Sequence, residues 1–330
     1  MRNAALPVVD MSLLDGDADD LAEFRTRLLD ATHRVGFFYL VGHGVSDDEI
    51  DRMFAMARDF FALDDAAKRE VEMTKSPHFR GYTRFGGEYT QGQVDWREQI
   101  DVAAEYPPLD GDDDFLLLDG PNLWPAELPE LKTAVVDWQE RCRAVGLRLM
   151  REWAGALGAP RDVFDSGFAE RPSTLLKLVK YPGRDAVDRQ GVGAHKDPGV
   201  LTLLMIEPGK GGLQVLHDDA WIDVPPMPGA FVVNIGELME WATDGYLTAT
   251  VHRVVSPAAG QTRLSIPFFF NPALSSSMAH LDLPDDLRSG ARGVTDDPDN
   301  PISATFGENM LKARLRAHPD VARIHHPHLV

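Results

Sequence analysis

The chain of 330 residues contains a single cysteine, Cys142. An internal disulfide is therefore excluded, and no cluster of thiolates is available for a structural zinc. Cys142 lies in Trp138-Gln-Glu-Arg-Cys-Arg-Ala-Val145, an amphipathic run that reads as helix and makes the thiol a core residue rather than a nucleophile. Apolar runs of about 18 residues, the length a membrane helix needs, are also absent, and the opening Met1-Arg-Asn-Ala-Ala-Leu-Pro7 has no apolar signal core. Neither membrane spanning nor secretion is expected, and a cytoplasmic protein is. Positive charge is scarce: 33 Lys and Arg against 52 Asp and Glu give a net charge of −19, so nucleic acid or an anionic membrane surface would be repelled. Repeats and low-complexity linkers are missing as well. What remains, 44% hydrophobic and 26% charged, suffices for a large core in one domain.

Helical spacing of Leu21, Phe24, Leu28 and Leu29 predicts a helix from Asp19 to Thr32. Ser46 followed by Asp-Asp-Glu predicts an N-cap with first-turn acids and a helix to about Phe61. A third helix is predicted from Leu128 to Leu157, stopped by Gly158-Ala-Pro160, and a closing one from Thr305 to Leu315 after the polar loop Thr295–Pro301. The first two fifths of the chain thus read as mostly helical with one strand. Apolar runs at 174–182, 200–206, 213–216, 221–224, 230–235, 247–255 and 263–270, separated by turns such as Pro226-Met-Pro-Gly229, predict short strands. The fold class that fits is mainly β with flanking helices: a double-stranded β-helix, or jelly-roll, core with an N-terminal helical region and a C-terminal helix. The glycines at 209–212 open no helix and have no following Lys-Ser/Thr, so they read as a turn and not a phosphate loop. His325, His326 and His328 read as a frayed terminus.

Chemistry is concentrated in His195-Lys196-Asp197 and the distant His252. Two neutral imidazoles and one carboxylate can occupy one face of a divalent iron and leave the opposite positions open. The His-x-Asp spacing alone is weak, because it recurs at His217/Asp219, which reads as the polar tip of a hairpin, and at His318/Asp320, where Pro319 marks a helix stop. His195 and Asp197 differ by preceding the apolar run Val200–Ile206: in extended chain, i and i+2 project to one face. His252 stands in the β-branched run Thr248–Val255 and completes the set if the two strands meet. Arg263 and Ser265 form another i, i+2 pair, a guanidinium fork and a hydroxyl suited to a carboxylate. The bland alternatives are a satisfied core histidine and an arginine paired with one of the many acids.

The run Lys177-Leu-Val-Lys-Tyr-Pro182, then Gly193-Ala-His-Lys-Asp197, Gly212-Leu-Gln-Val215, Trp221, Pro228–Gly236, Thr250-Val-His-Arg253 and Arg263-Leu-Ser-Ile-Pro267 resembles the core of the isopenicillin-N-synthase-like 2-oxoglutarate and iron(II)-dependent oxygenases. Leu6–Asp10 and Gly36–Gly44 are similar to that family's opening segments, so the resemblance runs from about residue 5 to residue 275. It implies a single catalytic domain over 1–330, with a mainly helical part at 1–170, the jelly-roll motifs at 171–275 and a C-terminal loop and helix at 276–330. It implies Fe(II) held by His195, Asp197 and His252, with 2-oxoglutarate as cosubstrate on Arg263, Ser265 and Tyr181, and dioxygen as oxidant. Two positions depart from the pattern. Val179 stands where plant members often have asparagine, and Lys196 where many relatives have a small or hydroxylated residue.

The implied reaction couples decarboxylation of 2-oxoglutarate to hydroxylation, desaturation or cyclisation of a small molecule, with no group beyond the metal centre needed for catalysis. Arg80-Gly-Tyr82 is similar to a substrate-contacting loop of the family, which puts Arg80, Tyr82 and Phe85 near the substrate, with Phe268 or Phe270 as apolar walls. An arginine there favours a carboxylate-bearing substrate; packing of the same aromatics against the barrel is the alternative. Two other functions stay open on the sequence: a ring-closing Fe(II) oxidase that needs no keto acid, and a ligand-binding protein without catalysis. The substrate, the carbon attacked and the oligomeric state are not legible.

Overall fold

The computed structural model describes residues 6–109, 111–185, 190–294 and 300–330. Among these, helices are α1 Ala18–Arg34, α2 Asp47–Ala62, α3 Asp65–Glu70, α4 Glu130–Ala156, α5 Asp165–Phe168, α6 Glu237–Ala242, α7 Asp285–Arg288, α8 Phe306–Ala317 and α9 Pro319–His325. Local chemistry sets their ends. Asp17 accepts from the backbone of Asp19 and Asp20 ahead of α1, and Ser46 and Glu49 cap α2 reciprocally, so the donors left over in each first turn are satisfied. Each helix then turns one stripe inward, Phe24, Leu28 and Ala31 on α1 and Ile50, Met53, Phe54, Ala57 and Phe60 on α2. The predicted loop Thr295–Pro301 falls largely on 295–299, outside the described residues.

The strands are β1 Val8–Asp10, β2 Phe37–Val41, β3 Gly81–Thr83, β4 Tyr89–Thr90, β5 Gln93–Val94, β6 Glu98–Ala103, β7 Thr174–Pro182, β8 Gln190–His195, β9 Leu201–Ile206, β10 Leu213–His217, β11 Ala220–Val224, β12 Phe231–Ile235, β13 His252–Val255 and β14 Thr262–Phe270. Eight of them form the larger sheet, in the order β1-β2-β12-β9-β14-β7-β6-β3, and four form the smaller, β11-β10-β13-β8. The core lies in two layers. One, between the larger sheet and the helices, contains Phe38, Trp153, Leu203, Phe268 and Phe270; the other, between the sheets, contains Phe37, Tyr181, Val192, Ile206, Val215 and Val254. Gly146 on α4 lets the helix lie against β14, since a Cβ there would sit 2.6 Å from the Phe270 ring.

This is the predicted jelly roll with flanking helices, with four departures. The N-terminal part contributes β1, β2, β3 and β6 to the larger sheet, where the sequence predicted one strand. The strand carrying His195, β8, was not among the predicted runs, because Gln190-Gly-Val-Gly-Ala-His195 is too glycine-rich to read as strand. The run 247–255 pairs only from His252 onward. The C-terminal histidines are docked rather than frayed: His325 and His326 contact the Thr74 and Pro77 carbonyls at 2.8 and 2.7 Å. The hairpin reading of His217-Asp218-Asp219 holds, with both aspartates at positive φ between β10 and β11. Among the described residues no helix is long and apolar enough to cross a membrane.

Candidate metal and cosubstrate site

His195 ends β8 and His252 begins β13, and antiparallel pairing sets the two directly opposite one another. Asp197 lies two residues past β8, where the chain leaves the smaller sheet for β9 of the larger. One nitrogen from each imidazole and one oxygen of Asp197 fall within 4.8 Å of one another, a cluster able to hold a metal ion. The outward ring nitrogens fix the tautomers. Nδ1 of His195 faces the Gly193 carbonyl at 2.8 Å and Nδ1 of His252 faces that of Thr250 at 3.1 Å, so each donates there and leaves Nε2 with a free lone pair. Both Nε2 atoms point at Asp197 Oδ1, at 3.6 and 3.7 Å.

The other carboxylate oxygen is clamped by the larger sheet. Thr202 on β9 and Asn234 on β12 are register partners, and they donate to Asp197 Oδ2 at 2.6 and 2.8 Å. Burial would raise the Asp197 pKa, but His252, His195 and the Thr202 hydroxyl hold it well below the usual carboxylate range. Burial, with the neighbouring His195, lowers His252 to about 4, so it is neutral as a ligand must be. Burial pulls His195 down, yet its hydrogen bond and charge interaction with Asp197 leave it raised. Gly236 makes the turn into α6 possible: a Cβ there would stand 2.2 Å from the Gly199 carbonyl oxygen and 2.7 Å from that of Asp197. Lys196 pairs with Glu240 at 2.9 Å.

Arg263 and Ser265 project from β14 into the layer between the sheets, and Tyr181 and Val179 are their cross-strand partners on β7. The Arg263 guanidinium carbon sits 4.8 Å over the Tyr181 ring. Arg263 is 1% exposed, and its three side-chain nitrogens make no hydrogen bond of good geometry, the Tyr181 hydroxyl being the polar group beside them and Glu207 a more distant charge. No described carboxylate lies within ion-pair distance of it, which removes the reading of an arginine paired to a structural acid. A buried cation without an ion-pair partner is a costly arrangement unless an anion completes it. A carboxylate of a bound keto acid is such an anion, and the charge and neutral imidazoles of the cluster suit Fe(II), so the residues fit both groups.

A cavity of about 500 Å³ opens beside the cluster. Four of the predicted substrate contacts are elsewhere, and the fifth lies at the surface. Arg80 is buried among backbone carbonyls, donating to Ala104 at 2.9 Å, Leu118 at 3.0 Å and Gly120. Tyr82 donates to Glu98 at 2.7 Å inside the core, and Phe85 stacks on Trp96 at the surface. Phe268 and Phe270 face the helical layer and are fully buried; Pro267 and Phe269, one residue out of step, line the cavity. The same alternation that made Arg263 and Ser265 a pair identifies 267 and 269. Sequence reasoning also missed Thr202 and Asn234, whose signal is a polar side chain inside an otherwise apolar strand, and the cavity charges Glu88, Arg97, Lys177 and Arg314.

Two family models match: the N-terminal region described as that of a non-haem dioxygenase in morphine synthesis, over residues 6–127, and the 2OG-Fe(II) oxygenase superfamily, over residues 172–272. A 2-oxoglutarate-dependent dioxygenase of Dothideomycetidae sp. is 34% identical, across 96% of this chain and 90% of its own length. A homoarginine-6-hydroxylase of Arabidopsis thaliana is 32% identical over 84% of this chain and 80% of its own. Among solved structures, a full-length Neurospora crassa protein in complex with alpha-KG superposes with a TM-score of 0.78 at 26% identity, covering 95% of this chain and 97% of that one.

Proposed function

The chain belongs to the 2OG-Fe(II) oxygenase superfamily and is a 2-oxoglutarate-dependent dioxygenase acting on a small molecule, and from that premise we propose how its own residues divide the work. His195, Asp197 and His252 hold the iron; Arg263 and Ser265, with Tyr181 beside them, hold the distal carboxylate of 2-oxoglutarate. Fe(II) and 2-oxoglutarate, when bound, would supply the oxidising power: the keto acid would lose carbon dioxide and take one oxygen atom of O2 as it becomes succinate, leaving the other to oxidise a substrate C–H bond. The chain's part is positioning. The Gly193 and Thr250 carbonyls keep both imidazoles in the ligating tautomer, and Thr202 and Asn234 keep one carboxylate oxygen turned to the metal. The buried Arg263 fork sets where the cosubstrate lies, and the cavity beside the cluster receives the substrate.

The observation that carries the assignment of Arg263 is its burial with no described carboxylate in ion-pair reach and no hydrogen bond of good geometry. The reading of Arg80 as a substrate carboxylate anchor loses its basis, because that guanidinium already has three carbonyl acceptors. The test is anaerobic titration of Fe(II)-loaded protein with 2-oxoglutarate, following the weak visible metal-to-ligand band. The band is expected in the wild type and at much higher 2-oxoglutarate in Arg263→Ala. An unchanged titration in the variant would refute the cosubstrate assignment, and retained turnover in His195→Ala would refute the metal assignment.

A further inference from the structure

One wall of the cavity is built from charged side chains that iron and 2-oxoglutarate leave unused. Arg97 lies 2.7 Å from Glu88 and 3.4 Å from Asp95, Lys177 lies 2.9 Å from Glu88 and 3.3 Å from Asp101, and Arg314 of α8 lies 2.8 Å from Asp101. Three cations thus meet three carboxylates, and the wall is neutral as a whole. The side chains of Glu88, Arg97, Lys177 and Arg314 are only 7%, 11%, 7% and 9% exposed, yet all four line the cavity that contains His195 and Asp197. Their hydrogen bonding is incomplete. Arg97 Nε has no hydrogen-bond partner, nor has Nε2 of His318, which lies 3.6 Å from Glu88, whereas Glu88 Oε2 already meets Arg97 Nη2 at 2.7 Å. The wall is near the metal cluster, since Arg97, His195 and Asp197 line the same cavity.

We propose that this wall is the subsite for the zwitterionic head group of a free α-amino acid, with Glu88 taking the ammonium and Arg97 and Arg314 the carboxylate. A lone anion or a lone cation entering here would leave a neutral, buried network with an uncompensated charge. A zwitterion exchanges ion pairs with the wall at no change in net charge, and it brings donors and acceptors to the unfilled atoms. Apolar residues that line the same cavity, Leu201, Phe269 and Met310, accommodate the side chain. This assignment of substrate class rests on the cavity being the substrate site of the dioxygenase described above.

The test is anaerobic calorimetry with the full chain, both metal-free and loaded with Fe(II) and 2-oxoglutarate. The probes are the twenty standard L-amino acids, L-ornithine and L-norleucine, and then the N-acetyl and amide forms of whichever binds. At least one free amino acid is expected to bind saturably, with either block weakening it tenfold or more. Glu88→Gln should weaken it by a similar factor while the 2-oxoglutarate band titrates as in the wild type. The proposal is overturned if no free amino acid binds either form of the protein, if the blocked forms bind as well as the free one, or if Glu88→Gln leaves affinity unchanged. A missing 2-oxoglutarate band accompanied by amino-acid binding would instead count against the cosubstrate assignment and leave this one standing. Should Glu88→Gln fail to fold, the blocked probes on the wild type still decide.

Discussion

Replacing Thr202 by valine removes one hydroxyl and almost no volume, so it isolates what the clamp on Asp197 contributes to metal binding. The hydroxyl donates to Oδ2 at 2.6 Å from a site that is only 5% exposed, and the acceptor is a carboxylate held ionised by its surroundings. Hydrogen bonds to charged groups contribute about 1.5–3 kcal/mol. That range converts to roughly 10- to 150-fold in an equilibrium constant. Asn234 still holds the same oxygen at 2.8 Å, which places the single variant near the lower end, about tenfold, and the Thr202→Val/Asn234→Ala pair near the upper. Fe(II) affinity is measured anaerobically by competition with a chromophoric chelator, beside the far-ultraviolet dichroism of each variant. Affinity within threefold of wild type in a folded double variant would refute the argument that the larger sheet orients the carboxylate.

Further outcomes follow from the same geometry. Arg80→Ala removes the donors to two buried carbonyls and one part-buried one and should cost about 2–4 kcal/mol in denaturant unfolding, with 2-oxoglutarate binding intact; unchanged stability would contradict its structural role. Phe268→Ala should cost about 3–5 kcal/mol as a core cavity, whereas Phe269→Ala should leave stability nearly unchanged and raise the KM for substrate; equal effects would mean the strand faces are misassigned. His318 has its pKa lowered by burial to about 4, against 6.5 for the free group, so between these values the unfolded chain binds the extra proton. Stability should therefore fall as pH drops from 6.5 to 4 and level off below for this group, by of order 3 kcal/mol. Urea midpoints for His318→Gln should show a shallower fall, and parallel curves would refute it.

The parts of the fold legible in the sequence were those with a local signature. Ser46, as an N-cap followed by first-turn acids, announced α2, and the apolar runs of β7, β9, β12 and β14 announced strands that turn out to be central and largely buried. β6 was hidden because Glu98, Gln99 and Asp101 are buried polar residues that break the apolar pattern of a strand. The metal cluster was legible through i, i+2 spacing. The cavity wall was not, since Glu88, Arg97, Lys177 and Arg314 share no segment and meet only when β6, β7 and α8 are assembled. Phe268 and Phe270 were chosen for their aromaticity, and the strand's own alternation would have pointed to Phe269.

The order of strands in the larger sheet also dictates an order of events at the ribosome. β1 and β2 form one edge and β6 and β3 the other, and each of these early pairs reaches the rest of the sheet only through a strand made later, β12 or β7, while β9 and β14 fill the middle. Ile100–Val102 waits for β7, complete at residue 182, and Phe37–Val41 for β12, complete at residue 235, and until residue 270 has emerged β14 cannot join the two halves of the sheet. Such late, long-range closure slows folding and prolongs exposure of unpaired strands, which makes nascent or C-terminally truncated chains the species in need of a chaperone.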